Sequence, residues 1–186
     1  MIGELPESLS VGGRRRAIRT DFRDILTIIQ AFNDPELDTT EKVLVCLVIL
    51  YKDFDGIKPD EYEEAYKQAI WFMDLGEEPD EKQNPRLMDW EQDEKILFPA
   101  INAVAGFETR SRKKIHWWTF MGYFMEIHEG TFSQVLSLRQ KKAKGKKLEK
   151  WEREFWDNNK RMCKLRPKLT REEEETKARL RAMLDG

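Results

Sequence analysis

The sequence predicts a mainly all-α fold: a single helical domain of about seven helices with a small N-terminal β-hairpin. Three observations lead there. Helix-forming Glu, Lys, Leu and Arg are abundant, whereas the 186 residues include only 10 Gly and 7 Pro. Apolar residues recur at three- and four-residue spacing in one segment after another. Only residues 7 to 19 alternate as strands do. The length suits one domain with a real core. It divides into a hairpin at 1–19, a helical domain at 20–166 and a charged C-terminal helix or tail at 167–186.

The hairpin comes first. Ser8-Leu9-Ser10-Val11 alternates polar and apolar, Gly12-Gly13 is a turn dipeptide, and Arg14 to Arg19 returns. An isolated hairpin is marginal, so it must lie on the helices. Thr20-Asp21 starts the first helix, with Phe22, Ile25, Leu26, Ile29 and Phe32 at helical spacing and Asn33-Asp34-Pro35 as its stop. Asp38 or Thr39 caps the second, to about Lys52. It is apolar nearly all round from Val43 to Leu50, which predicts a central helix.

Asp53-Phe54-Asp55-Gly56 reads as a turn, and Pro59 takes the first position of the third helix. Glu77 to Pro85 reads as a mobile polar loop. The fourth helix is expected from Asp89, its cap, to Val104, kinked or divided at Pro99 and ended by Gly106. The fifth covers about 112 to 128. The sixth covers 132 to 144 with Thr131 as cap, and the seventh about 148 to 165 with Trp151, Phe155, Trp156 and Met162. Pro167 ends it. Thr170, before Glu172 and Glu173, caps a last charged segment whose apolar stripe is Leu180, Met183 and Leu184.

Ile115 to Met125 holds Trp117, Trp118, Phe120, Tyr123 and Phe124 with no charge beyond the titratable His116. Such a helix is either the core or a face that another protein covers. Adjacent tryptophans project about 100° apart, so at least one faces inward. The neighbouring helix ends in a basic run: Arg139, Lys141, Lys142, Lys144, Lys146, Lys147 and Lys150. Seven cations in twelve residues could neutralise phosphates. No base-reading module accompanies them, and a solvated helix end is the simpler reading.

The net charge is −2, but its distribution is uneven. Residues 51 to 94 hold 15 acidic and 5 basic side chains; residues 106 to 166 hold 16 basic and 7 acidic. These halves either neutralise each other across one surface or make a bipolar molecule that stacks or docks a charged partner.

No constellation for catalysis, cofactor or metal is legible. An EF-hand loop built on Gly56 would place Tyr51 and Tyr62 at its first and twelfth positions, where neither is a ligand. His116 and His128 read as lying on one helix without sharing a face, with no HExxH spacing. Cys46 reads as a core hydrophobe, and Cys46 and Cys163 form no zinc pattern. The apolar runs Val43–Tyr51 and Ile115–Met125 are about half a membrane span. No basic-then-apolar signal opens the sequence. The expectation is a non-enzymatic, soluble, cytoplasmic, non-secreted protein. Its candidate partner contacts are Trp117, Trp118, Arg139, Lys141, Lys142, Lys144, Lys146 and Lys147.

Three segments carry a family resemblance. One is Leu5-Pro6-Glu7-Ser8 with Gly12-Gly13 and Ile18-Arg19-Thr20-Asp21-Phe22-Arg23. The second is His116-Trp117-Trp118-Thr119-Phe120. The third runs from Phe132-Ser133-Gln134 through Leu138-Arg139 to Lys141-Lys142-Ala143-Lys144-Gly145-Lys146-Lys147-Leu148. In this order they resemble the bacteriophage gene-product-fifteen family of long-tailed phages and prophages of Gram-positive bacteria. Arg14-Arg15-Arg16 is more basic than that pattern. The resemblance implies a gene position between the major tail protein and the tape-measure protein, where tail assembly chaperones are encoded. It therefore implies binding of the tape-measure protein, alongside other tail proteins, and no catalytic residues; the aromatic helices and the charge split add an expectation of self-association, and the short apolar runs one of no membrane. A nucleic-acid-binding accessory role through residues 139–150 is the alternative.

Overall fold

A computed structural model describes residues 3–77 and 85–184. Of the loop read over Glu77–Pro85, residues 78–84 lie outside the described residues. The described chain is mainly helical, with one two-stranded hairpin. Strand β1 (Ser8–Val11) pairs antiparallel with β2 (Arg14–Ala17), Leu9 opposite Arg16 and Val11 opposite Arg14. Gly12 and Gly13 both have positive φ (58° and 69°), as a two-residue turn between twisted strands requires. Leu9 and Val11 are buried. The Gly12 N–H donates to Glu64, and the Arg16 guanidinium donates to the Gly56 carbonyl at 2.6 Å beside Glu61. The basic return strand thus pins the hairpin to the turn it lies on.

Helices α1 (Phe22–Phe32), α2 (Thr39–Leu50) and α3 (Tyr62–Met73) follow, the last preceded by a 3-10 turn at Pro59–Glu61. Asp21 caps α1, and Asp38 caps α2 in a reciprocal box with Glu41. α2 packs between α1 and α3. It is not enclosed, however, and Leu44 and Val48 face outward on the side those two neighbours leave open.

α4 is Glu94–Ala105, later than expected. Asp89 caps the irregular turn before it, accepting from the Glu91 and Gln92 N–H groups. Pro99 does not divide α4. It and Lys95, whose carbonyl loses its N–H partner there, are both on the exposed side, where water can serve that carbonyl. Gly106 ends α4 in the left-handed conformation, φ 74°.

α5 spans only Trp117–Met125. Residues 115 and 116 are extended because Asp21 and His116 form a bridge and the Phe22 N–H donates to the Ile115 carbonyl. His116 is therefore the cap of α5 rather than part of a helix shared with His128. α6 is Thr131–Ala143, with Gly130 rather than Thr131 at the cap. The expected seventh helix is two, α7 (Lys150–Asn158) and α8 (Lys160–Cys163). The break falls at Asn159, whose side-chain amide donates to the Phe155 carbonyl. Glu152 turns inward to complete a capping box with Glu149, which leaves Trp151 outside. α9 (Arg171–Leu184) is the charged C-terminal helix; Thr170 and Glu173 cap it reciprocally.

The core lies where α1, α4 and α5 meet. Phe120 stacks on Phe22, ring centroids 4.1 Å apart and planes 7° apart, with Phe98 and Trp117 against it. Cys46 and Cys163 are buried, and burial pushes the Cys46 thiol up to about 12.

After Gly106, the side-chain donors of Arg110, its backbone N–H and Asn102 converge on Glu108. They hold its carboxyl at about 2 rather than 4.5, Arg110 contributing most. A carboxyl whose value is lowered by folding stabilises above its unfolded value, and that stability is lost as pH falls toward the folded value. Asp24 and Asp74, raised chiefly by burial, work in the opposite sense. Glu108→Gln should therefore lessen the loss of thermal stability between about pH 5 and about pH 3, read from paired melts of variant and parent.

Candidate functional site

The candidate residues fall into three settings. The first is a tie that gathers the N-terminal and central motifs. Residues 17 to 22 run between the end of α2 and the start of α5. Lys52 N–H donates to the Ala17 carbonyl, Arg19 N–H to Leu50 and Trp117 N–H to Thr20. Arg19 Nη1 also reaches the Val48, Ile49 and Tyr51 carbonyls, which close the α2 C-terminus. Arg23 forks onto Asp21 and the Arg110 and Arg112 carbonyls. His116 Nδ1 accepts the Trp118 N–H, so Nε2 carries the proton toward the Pro6 carbonyl, 3.0 Å away.

Both tryptophans belong to this tie. Trp117 is 2% exposed. Its indole N–H donates to the Met73 carbonyl at 2.9 Å, and the Trp118 indole N–H donates to the Phe72 carbonyl at 2.9 Å. The pair thus caps α3: Trp117 satisfies the Met73 carbonyl that the helix end leaves open, and Trp118 adds a second donor to the Phe72 carbonyl, which also accepts the Leu75 N–H. Trp117 is a core residue and presents no face to a partner. Trp118 is half-buried against Trp71 and Phe72.

The second setting is a hub around Arg139, which is buried. Its guanidinium donates to both Asp93 oxygens at 2.7 and 2.8 Å, and to the Leu87, Met162 and Cys163 carbonyls. All five N–H donors are used. α8 ends at Cys163, so the Met162 and Cys163 carbonyls have no helical partner of their own. Nearby, burial acts to raise the Asp89 carboxyl, but the Gln92 N–H and Arg86 hold it below its ordinary value. Arg139 belongs to the interior, away from the lysines that follow it.

The third setting is what remains of the basic run. Lys141 pairs with Glu152, whose carboxyl it holds below its ordinary value. Lys142 sits 4.3 Å above the Trp156 ring. Lys144, Lys146 and Lys147 are exposed at the end of α6, with no ion pair among the described residues. The stretch from 139 to 150 is thus not a continuous cationic strip.

Two surfaces had no signal in the linear pattern. One is a groove between the end of α5 and α6, lined by Leu87, Phe124, Met125, Ile127, Phe132 and Leu136. Met125 is 57% exposed there. The other is a cleft of about 1000 Å³ at the α2 C-terminus, lined by Arg19, Lys52, Arg112, Lys113 and Lys114 around Asp21 and Asp24. Thr20 lines it too, and its buried hydroxyl has no hydrogen-bond partner among the described residues. No group of three or more His, Cys, Asp or Glu able to hold a metal occurs among the described residues. None of their helices is long and apolar enough to cross a membrane.

The fold and these settings define a mainly α-helical protein whose distinctive motifs serve as ties between its elements. Residues 1–165 match the family model described as Bacteriophage Gp15 protein, and the chain belongs to that family. It is a phage protein. No curated protein and no solved structure matches it.

Proposed function

We propose that this chain is a non-enzymatic phage tail morphogenesis protein, a tail assembly chaperone that binds the tape-measure protein in the host cytoplasm. Family membership supports the phage setting, and the groove between α5 and α6 supports the mode of binding. Half-buried Phe124, Ile127 and Leu136 line that groove, and Met125 stands open at its edge. An amphipathic helix places its apolar edge in such a groove. Methionine adapts to varied apolar partners. Gln140 also lines the groove, and Lys144 follows it one turn along α6. Acidic residues flanking the client's apolar edge would meet Lys144, Lys146 and Lys147.

Co-expression with the tape-measure protein tests this. The two should co-purify, and the tape-measure protein should gain solubility. Met125→Glu should lower recovery of the complex without unfolding the chain, because Met125 is exposed. If no complex survives purification and tape-measure solubility is unchanged, the reading is wrong.

A further inference from the structure

Within its own chain, α9 is uncovered. Every described side chain along Arg171–Leu184 is exposed, including Leu180 at 56% and Met183 at 78%. A helix of 14 residues is marginal alone in water. α2 shows the converse feature. Leu44 and Val48, one turn apart, are exposed on the side that α1 and α3 leave open, and this stripe runs into the basic cleft at Arg19 and Lys52.

Charge selects the direction in which these stripes fit. After Arg171, which pairs with Glu175, α9 is acidic at Glu172 and Glu173 and continues basic, with Lys177 and Arg179. α2 is ordered the same way: Asp34, Glu36, Asp38 and Glu41 outweigh Lys42 at its N-terminal end, and Arg19 and Lys52 flank its C-terminal end. A parallel approach sets glutamates beside acids, whereas an antiparallel one sets them beside Arg19 and Lys52 and brings Arg179 within about one turn of Glu41. Within one chain only the parallel approach is open. The link to α9 is held by Lys168 on Glu91 and by Arg166 on Gln92, and the Arg171 N–H donates to Glu36 at the N-terminal end of α2.

We propose that α9 of one copy lies antiparallel on α2 of a second copy, and reciprocally, as a symmetric arm-exchanged dimer. Glu172 opposite Lys52 sets Thr176 opposite Val48 and Leu180 opposite Leu44. The lengths agree, about 21 Å for α9 and about 18 Å for α2. The glutamates then enter the cationic cleft, and Leu44, Val48 and Leu180 leave water. The contact is isologous, so it closes at two copies.

Light scattering over a concentration series tests this with the full chain. Wild type should reach twice 22.2 kDa. Leu44→Asp and Leu180→Asp should each return it to the mass of one chain, with helical circular dichroism falling by no more than the share of α9. Lys52→Glu and Glu172→Lys should each raise the dimer dissociation constant about fivefold or more. Mixing those two should restore it, since each contact in the mixed pair again joins Lys to Glu. Three outcomes would overturn the proposal: a wild type at the mass of one chain throughout, a dimer indifferent to Leu44→Asp and Leu180→Asp, or no recovery on mixing.

Discussion

Arg139→Met is expected to destabilise the fold by about 3–5 kcal/mol, the cost of leaving one partner of a buried ion pair alone. The substitution is nearly volume-conserving, so packing is not the main loss. Asp93 would keep a buried carboxylate whose remaining donor is the Asp89 N–H. The Leu87, Met162 and Cys163 carbonyls would each lose a charge-assisted donor. Arg139→Lys should recover only part of this, because a single ammonium cannot fork onto Asp93 and reach three carbonyls on different elements. Adding Asp93→Asn to Arg139→Met should cost less than the two changes summed, since the stranded charge is gone. Lys144→Gln with Lys146→Gln and Lys147→Gln should each shift stability by no more than about 0.5 kcal/mol. Urea unfolding of the set reads all of these. Equal effects for Arg139 and the three lysines would refute the hub.

That contrast shows how far the sequence was legible. Helical periodicity located α1, α2, α3 and α6, and the Gly12-Gly13 dipeptide located the hairpin turn, because both signals are local. Caps were legible where the carboxylate serves its own helix, as at Asp38. The cap at Asp89 was legible too, though it serves the turn before α4; the use of Asp93 was not, because a distant group decides it: Arg139 lies 46 residues away. The same reason shortened α5. Ile115 and His116 carry a helical pattern, yet the Ile115 carbonyl and the Trp117 N–H, on either side of His116, bond to Phe22 and Thr20, almost a hundred positions earlier. In the sequence Arg139 opens a run of cations, and nothing local distinguishes a buried guanidinium from exposed lysines. The all-round apolar α2 pointed to the centre of the domain, but a helix needs a cover on every apolar side, and one side of α2 has none in a single chain.

Trp117→Ala is expected to cost about 3–5 kcal/mol, as large aromatic truncations in a core do. Trp117 lies against Phe120 and Trp90, and Phe120 in turn carries Phe22 and Phe98, so the cavity would open where three helices meet. Trp117→Phe separates packing from hydrogen bonding. It retains an aromatic ring but strands the Met73 carbonyl at the buried end of α3, expected to cost about 1–3 kcal/mol. Trp118→Phe removes one donor from the Phe72 carbonyl, which keeps the Leu75 N–H, so its cost should be the smaller of the two. A surface of contact for another protein would give the reverse pattern: Trp117→Ala would leave thermal stability unchanged and weaken only the complex. Because the indole is bonded to the α3 terminus in the free chain, any loss of complex in Trp117→Ala should track its loss of fold. Melting both variants without a partner, and then assaying binding well below the melting temperature of each, separates the two roles.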